Sequence, residues 1–181
     1  VQCLERRKEH FASLTDILQK ISHKKMLFRS IEASLSLPAI AHCSDVANLS
    51  ESIPLPMDKQ LRVQIGSVRK QLALVLSLKT LGNIREANKA ADKLADQVAE
   101  IDYVPLSAEY FLLVADIAGI MGEVDKAEKT LLAAIEKGSL SKNDILVARS
   151  WNQLIAIIGD LRGKYEKALH FAAAAKAAVA R

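Results

Sequence analysis

Residues 121–132 read MGEVDKAEKTLL. The phrase is a glycine, one residue, an apolar residue, and then a Lys or Glu just ahead of an alanine. It recurs as LGNIREANKAA at 81–91 and as RGKYEKALHFAA at 162–173. Gly82, Gly122 and Gly163 stand 40 and 41 residues apart. Ala87, Ala127 and Ala168 follow the glycines by five residues, and Leu94, Ala134 and Ala175 follow those alanines by seven. A fixed interval of this size marks a repeated supersecondary unit. Glycine supplies a turn conformation that a Cβ opposes. A small residue on the helix after the turn lets the helix before it come close.

Working outward, the segments between these phrases carry helical apolar spacing. Leu61, Ile65, Val68, Leu72 and Val75 run up to Leu81-Gly82. A second helix is expected from Ile84 to Ile101. Pro105 sits where a helix can begin, because the first turn does not need its missing N–H. Leu106, Tyr110, Leu113, Ile117 and Ile120 lead to Gly122, and Val147, Trp151, Leu154, Ile158 and Leu161 lead to Gly163. The helix starting at Val124 is expected to stop at Gly138. Ser141 to Asp144 reads as a capping box with Asp in place of Glu. A last helix runs from Tyr165 to Ala180. Ahead of the array, Leu4, Phe11, Leu14, Leu18 and Ile21 mark one long helix, and Leu27, Ile31 and Leu35 mark one side of a shorter one that Pro38 ends. The expected organisation is an N-terminal helical hairpin (1–37), a Pro-containing connector (38–57) with one helical turn near 45–49, and a repeat array (58–181). Each hairpin has an uncovered apolar face that only its neighbour buries. The fold class is therefore all-α, a helical-hairpin solenoid of about three repeats of roughly 40 residues.

Composition agrees: half the residues are apolar, a quarter are charged and only 4% are aromatic. No run of eighteen apolar residues is free of charge, so no membrane-spanning helix is expected. The chain opens on Val1 without an apolar leader, as a fragment of a longer chain would. Residues 1–30 carry seven basic and three acidic side chains, whereas the remainder carries eighteen of each. A basic excess confined to one end, without interleaved aromatics, does not fit a nucleic-acid docking face. It reads as a solvated helix face.

The glycine-to-alanine phrase with a small residue seven later resembles the tetratricopeptide repeat over about residues 60–181. The interval is longer than that family's, and its Trp-x-x-Leu-Gly opening is absent. A second resemblance covers the whole chain. CLERRKEHFASLTDIL, then LPAIAHCSDVANL, then a Pro-rich link into VRKQLA and LGNIREA, is similar to the C-terminal region of bacterial serine/threonine kinases of the myxobacterial type. That resemblance implies a parent protein with a kinase domain, often with a single membrane span, and makes this chain its non-catalytic regulatory tail. It leaves the side of the membrane open.

The chain has no glycine-rich phosphate loop, no His-Arg-Asp, no Asp-Phe-Gly, no Gly-x-Ser-x-Gly and no His-Glu-x-x-His, so no catalytic residue, cofactor or enzyme activity is expected of it. His10, His23, His42 and His170 are scattered, and His42-Cys43 has no second pair at zinc-site spacing. Asn48-Leu-Ser50 matches a glycosylation acceptor. Helix lengths bring Cys3 and Cys43 to the same end of the N-terminal hairpin, where a disulfide or two buried thiols are both compatible with the spacing. By analogy with tetratricopeptide arrays, the first helix of each hairpin lines a concave binding surface. That places Arg69, Leu76 and Lys79, then Glu109, Leu112 and Asp116, then Gln153, Ile157 and Asp160 on it. The expected partner is a protein or peptide; the alternatives are a small-molecule sensor in the same groove or a structural dimerisation segment. The alanine-rich last helix, with Ala172 and Ala173 outermost, is the expected surface of a weak homodimer.

Overall fold

The computed structural model describes residues 2–20, 24–35, 37, 39–44 and 53–179. Ile21, His23, Pro38, the turn at 45–49 and the Asn48-Ser50 tripeptide lie outside them. Among the described residues the protein is all-α, with no strand. The helices are α1 (Gln2–Leu18), α2 (Lys24–Leu35), α3 (Lys59–Thr80), α4 (Ile84–Asp92), α5 (Ala95–Ile101), α6 (Val104–Met121), α7 (Val124–Leu140), α8 (Asp144–Ala156) and α9 (Tyr165–Val179). A 3-10 turn spans Ile40–Ser44, and α8 runs on into a π turn, Ile157–Leu161. Two compact units result, residues 1–51 with 55–97 and residues 52–54 with 98–181.

The repeated glycines each close a helix in the left-handed conformation, with φ of 82°, 78° and 65° at Gly82, Gly122 and Gly163. At the first two, the closing bonds form a Schellman motif. Gly82 N–H donates to Lys79 O and Asn83 N–H to Leu78 O; Gly122 N–H donates to Gly119 O and Glu123 N–H to Ala118 O. A second left-handed series interleaves with the glycines. Asp102 has φ 44° and Lys142, forty residues on, has φ 55°. The repeat interval is thus written in the backbone at both ends of the helices. The small positions are all buried: Ala87, Ala127 and Ala134 at 0%, Leu94 at 1%, Ala168 and Ala175 at 6%.

The second interval is 41 for a local reason. The residues ahead of α6 and α8, Tyr103 and Asn143, are 40 apart, whereas the glycines after them are 41 apart. The extra residue therefore lies within 144–163. The π turn absorbs it, with Arg162 N–H donating five residues back to Ile157 O at 3.1 Å. A π turn holds one more residue per hydrogen-bonded ring than an α turn.

Several expectations are corrected. The helix expected over 84–101 is interrupted at Lys93-Leu94, where Leu94 N–H donates to Ala91 O in a tightened turn. Gly138 does not stop α7, which continues to Leu140. It is instead a site of close approach: an added Cβ would lie 2.9 Å from both Leu146 Cδ2 and Val147 Cγ2. Ser141 does not cap α8. Its hydroxyl is buried and donates back to Gly138 O, while Asn143 Oδ1 accepts from Leu146 N–H. On α1 only Leu14 of the described stripe is fully buried, and Leu4 and Phe11 are exposed. On α2 the stripe is inverted: Ile31 and Leu35 face solvent and Ala33, 1% exposed, faces the core.

In the first unit, α1 packs on α3, and Leu14, Ala33 and Leu81 form a small core with Ile17, Leu18 and Leu37 against it. Cys3 and Cys43 are bonded, with Cα atoms 5.5 Å apart. The Asp58 carboxylate caps α3 by accepting from Gln60 N–H at 2.7 Å. In the second unit, α6 packs on α7, α7 on α8, α8 on α9, and α6 also meets α8. Leu112, Leu131, Leu146, Leu154, Ile157 and Ile158 make its core, with alanines between them. Helix α6 is long and apolar enough to cross a membrane by composition, but Leu106, Ala108, Ala115, Ile117 and Ala118 along it are fully buried.

Candidate binding groove

A groove of about 300 Å³ opens between α6 and the α8–π segment of the second unit. Its walls are Ala115, Gly119 and Ile120 on one side and Ala156, Ile157 and Leu161 on the other, with Asp116, Gln153 and Asp160 as its polar groups. Helical spacing explains the grouping. Ala115, Asp116, Gly119 and Ile120 fall at i, i+1, i+4 and i+5, and Gln153, Ala156, Ile157 and Asp160 at i, i+3, i+4 and i+7, each one face of a helix. Small residues on both helices leave the trough unfilled. Ile120 and Leu161, expected as core, are instead 58% and 53% exposed at its rim.

The polar groups are arranged as acceptors. Gln153 Nε2 donates across the groove to Asp116 Oδ1 at 2.5 Å. That bond turns Gln153 Oε1 away, and this oxygen is buried with no hydrogen-bond donor. Asp160 is exposed about two turns further along. No lysine or arginine lines the groove. A buried carbonyl without a donor costs about 1–3 kcal/mol, which a bound donor recovers.

Of the residues expected on a binding surface, Asp116, Gln153, Ile157 and Asp160 come together here. Leu112 does not; it is in the core of the second unit. Glu109 is half-buried on α6, outside the groove lining. Arg69 is 8% exposed on α3, and Leu76 and Lys79 are half-buried on the same helix in the first unit. Ala115, Gly119, Ile120, Ala156 and Leu161 were not foreseen. Their signal was small residues flanking the counted positions, together with the 41-residue interval that betrays the π turn. On α9, Ala173 is exposed and Ala172 half-buried, whereas Tyr165 and Leu169 are large apolar side chains that are exposed. Among the described residues no group of three or more His, Cys, Asp or Glu side chains is placed to hold a metal ion.

No protein-family model matches the chain, and no curated protein or solved structure is significantly similar to it.

Proposed function

We propose that the second unit is a tetratricopeptide-like peptide-binding module whose α6–α8 groove takes a segment carrying a lysine or arginine flanked by apolar residues. The observation that carries this reading is the buried, donor-less Gln153 Oε1, on a side chain bonded to Asp116, in a trough whose other polar group is Asp160 and whose remaining walls are apolar. A basic side chain brings several N–H donors on an apolar stem, which matches that inventory. The groove's volume is at the lower end for drug-sized ligands, and its open form favours a chain segment over an enclosed small molecule. The solenoid reading is supported by the two left-handed series and by the buried small positions. On the same proposal the chain serves as the regulatory tail of a bacterial serine/threonine kinase. That part rests on the order of sequence features alone and is tested by whether a kinase domain precedes Val1 in the natural protein.

The binding test is fluorescence polarisation with labelled peptides of apolar-Lys-apolar pattern and their Lys→Glu counterparts. We expect saturable binding of the basic set only, weakened at least ten-fold by Asp160→Lys and by Gln153→Leu. Equal affinity for acidic and basic peptides, or binding indifferent to both variants, would rule the groove out as the site.

A further inference from the structure

We infer that the outward face of α2 docks on an anionic lipid surface. Phe28, Ile31 and Leu35 are 82%, 69% and 82% exposed. They fall at i, i+3 and i+7, which at about 100° per residue confines them to an arc of roughly 60°. Ala33, on the other side of the helix, is buried and packed with Leu14 and Leu81. Among its described side chains, the helix therefore turns a small one to the core and three large apolar ones to solvent. This reverses the ordinary arrangement of a surface helix, whose large apolar side chains face the core.

Charge identifies the occupant. Lys24, Lys25 and Arg29 stand on α2 against the single acid Glu32, and the excess of basic over acidic residues in the whole chain resides in residues 1–30. A helix that exposes bulky apolar residues and carries more basic than acidic ones in its sequence suits the boundary between headgroups and acyl chains of an anionic bilayer. A second copy of the chain would bring like charges together. A nucleic-acid backbone would offer nothing to Phe28, Ile31 and Leu35. The scaffold also removes an obstacle: a free helix of twelve residues is marginal in water, whereas α2 is already formed, with Ala33 in the core. The inference is independent of the groove in the second unit.

Flotation of the intact chain with vesicles tests it. We expect recovery with vesicles of phosphatidylcholine containing phosphatidylglycerol, little with phosphatidylcholine alone, and release as salt rises. Lys24→Glu with Lys25→Glu should weaken binding by more than twenty-fold, given roughly five-fold for each lysine near an anionic surface. Phe28→Ser, Ile31→Ser and Leu35→Ser together should abolish it and leave the thermal melt unchanged, because the three side chains are exposed. Three outcomes would overturn the inference: equal binding to neutral vesicles, full binding by the serine variant, or no vesicle binding with a concentration-dependent dimer that the serine variant dissolves.

Discussion

The second unit and the N-terminal helices of the first unit bury their surfaces by opposite means. In the second unit, alanines at fixed intervals let helices approach, and leucines and isoleucines fill the space between them. Ala108, Ala115, Ala118, Ala127 and Ala134 are all at 0% exposure beside Leu131, Leu154 and Ile158. In the first unit, α2 turns Ala33 to the core and leaves Phe28, Ile31 and Leu35 outside, while a disulfide joins α1 to the 3-10 turn. One region is held by periodic packing, the other by a covalent tie and a thin core. The comparison teaches that apolar spacing alone does not say which way a helix faces; a repeated small position does, because it requires a neighbour at close range.

The largest expected effect follows from the covalent tie. Closing a 40-residue span between Cys3 and Cys43 contributes about 4 kcal/mol by restricting the unfolded chain. Reduction should therefore lower protection of α1 amides against hydrogen exchange by about a hundred-fold or more, and leave amides of Leu131 and Leu154 unaffected. Uniform loss of protection along the chain would show that the two regions are not stabilised separately. The titration of thiols in denatured, unreduced protein gives the oxidation state directly, and two free thiols would remove the tie from the comparison.

Periodic packing predicts the next effect. Ala127→Leu places three heavy atoms at a fully buried position and should cost about 2 kcal/mol. Ala177→Leu, on an exposed position of α9, should change stability by less than about 0.5 kcal/mol. Equal melting temperatures would mean that the five-residue spacing from glycine to alanine does not mark the helix contact.

What was legible follows from the same physics. The glycine and alanine intervals state two constraints at once, a left-handed turn and a close contact, and the structure meets both at Gly82-Ala87, Gly122-Ala127 and Gly163-Ala168. Four of the nine groove residues, Asp116, Gln153, Ile157 and Asp160, were reached through the tetratricopeptide resemblance by counting back from the glycines. The groove's depth was not legible, because it depends on Ala115, Gly119 and Ala156 being too small to fill the trough. The facing of α2 was illegible because Leu27, Ile31 and Leu35 satisfy a helical stripe whether that stripe meets a core or solvent. Gly138 misled for a related reason: glycine serves both as a helix stop and as a place where another side chain comes close. Only tertiary structure separates the two uses.

That double use gives a smaller, opposed prediction. Gly138→Ala gains about 1 kcal/mol of helix propensity inside α7, yet its Cβ would meet Leu146 and Val147 side chains at 2.9 Å. Overpacking typically costs about 1–3 kcal/mol, so the net expectation is a loss near 1 kcal/mol. Denaturant unfolding decides the sign. A stabilised variant would place Gly138 among ordinary helix positions and show that α8 yields easily.

The smallest effect concerns a left-handed turn that lacks glycine. Lys142 closes α7 at φ 55°, with Lys142 N–H donating to Ser139 O and Asn143 N–H to Gly138 O, the same pair of bonds that Gly122 and Glu123 make after α6. A side chain in this conformation costs about 1–2 kcal/mol, which Lys142→Gly relieves. Glycine also gives the unfolded chain more freedom, an offset of about 0.5–1 kcal/mol. The net expectation is a gain of about 0.5 kcal/mol. The reverse exchange at the matched turn, Gly122→Lys, should lose about 1 kcal/mol through the backbone alone, since nothing lies within 4 Å of a Cβ there. If Lys142→Gly instead destabilises as much as Gly122→Lys, the Lys142 side chain itself contributes at the α7–α8 turn, and the two left-handed series differ in more than the identity of their residues.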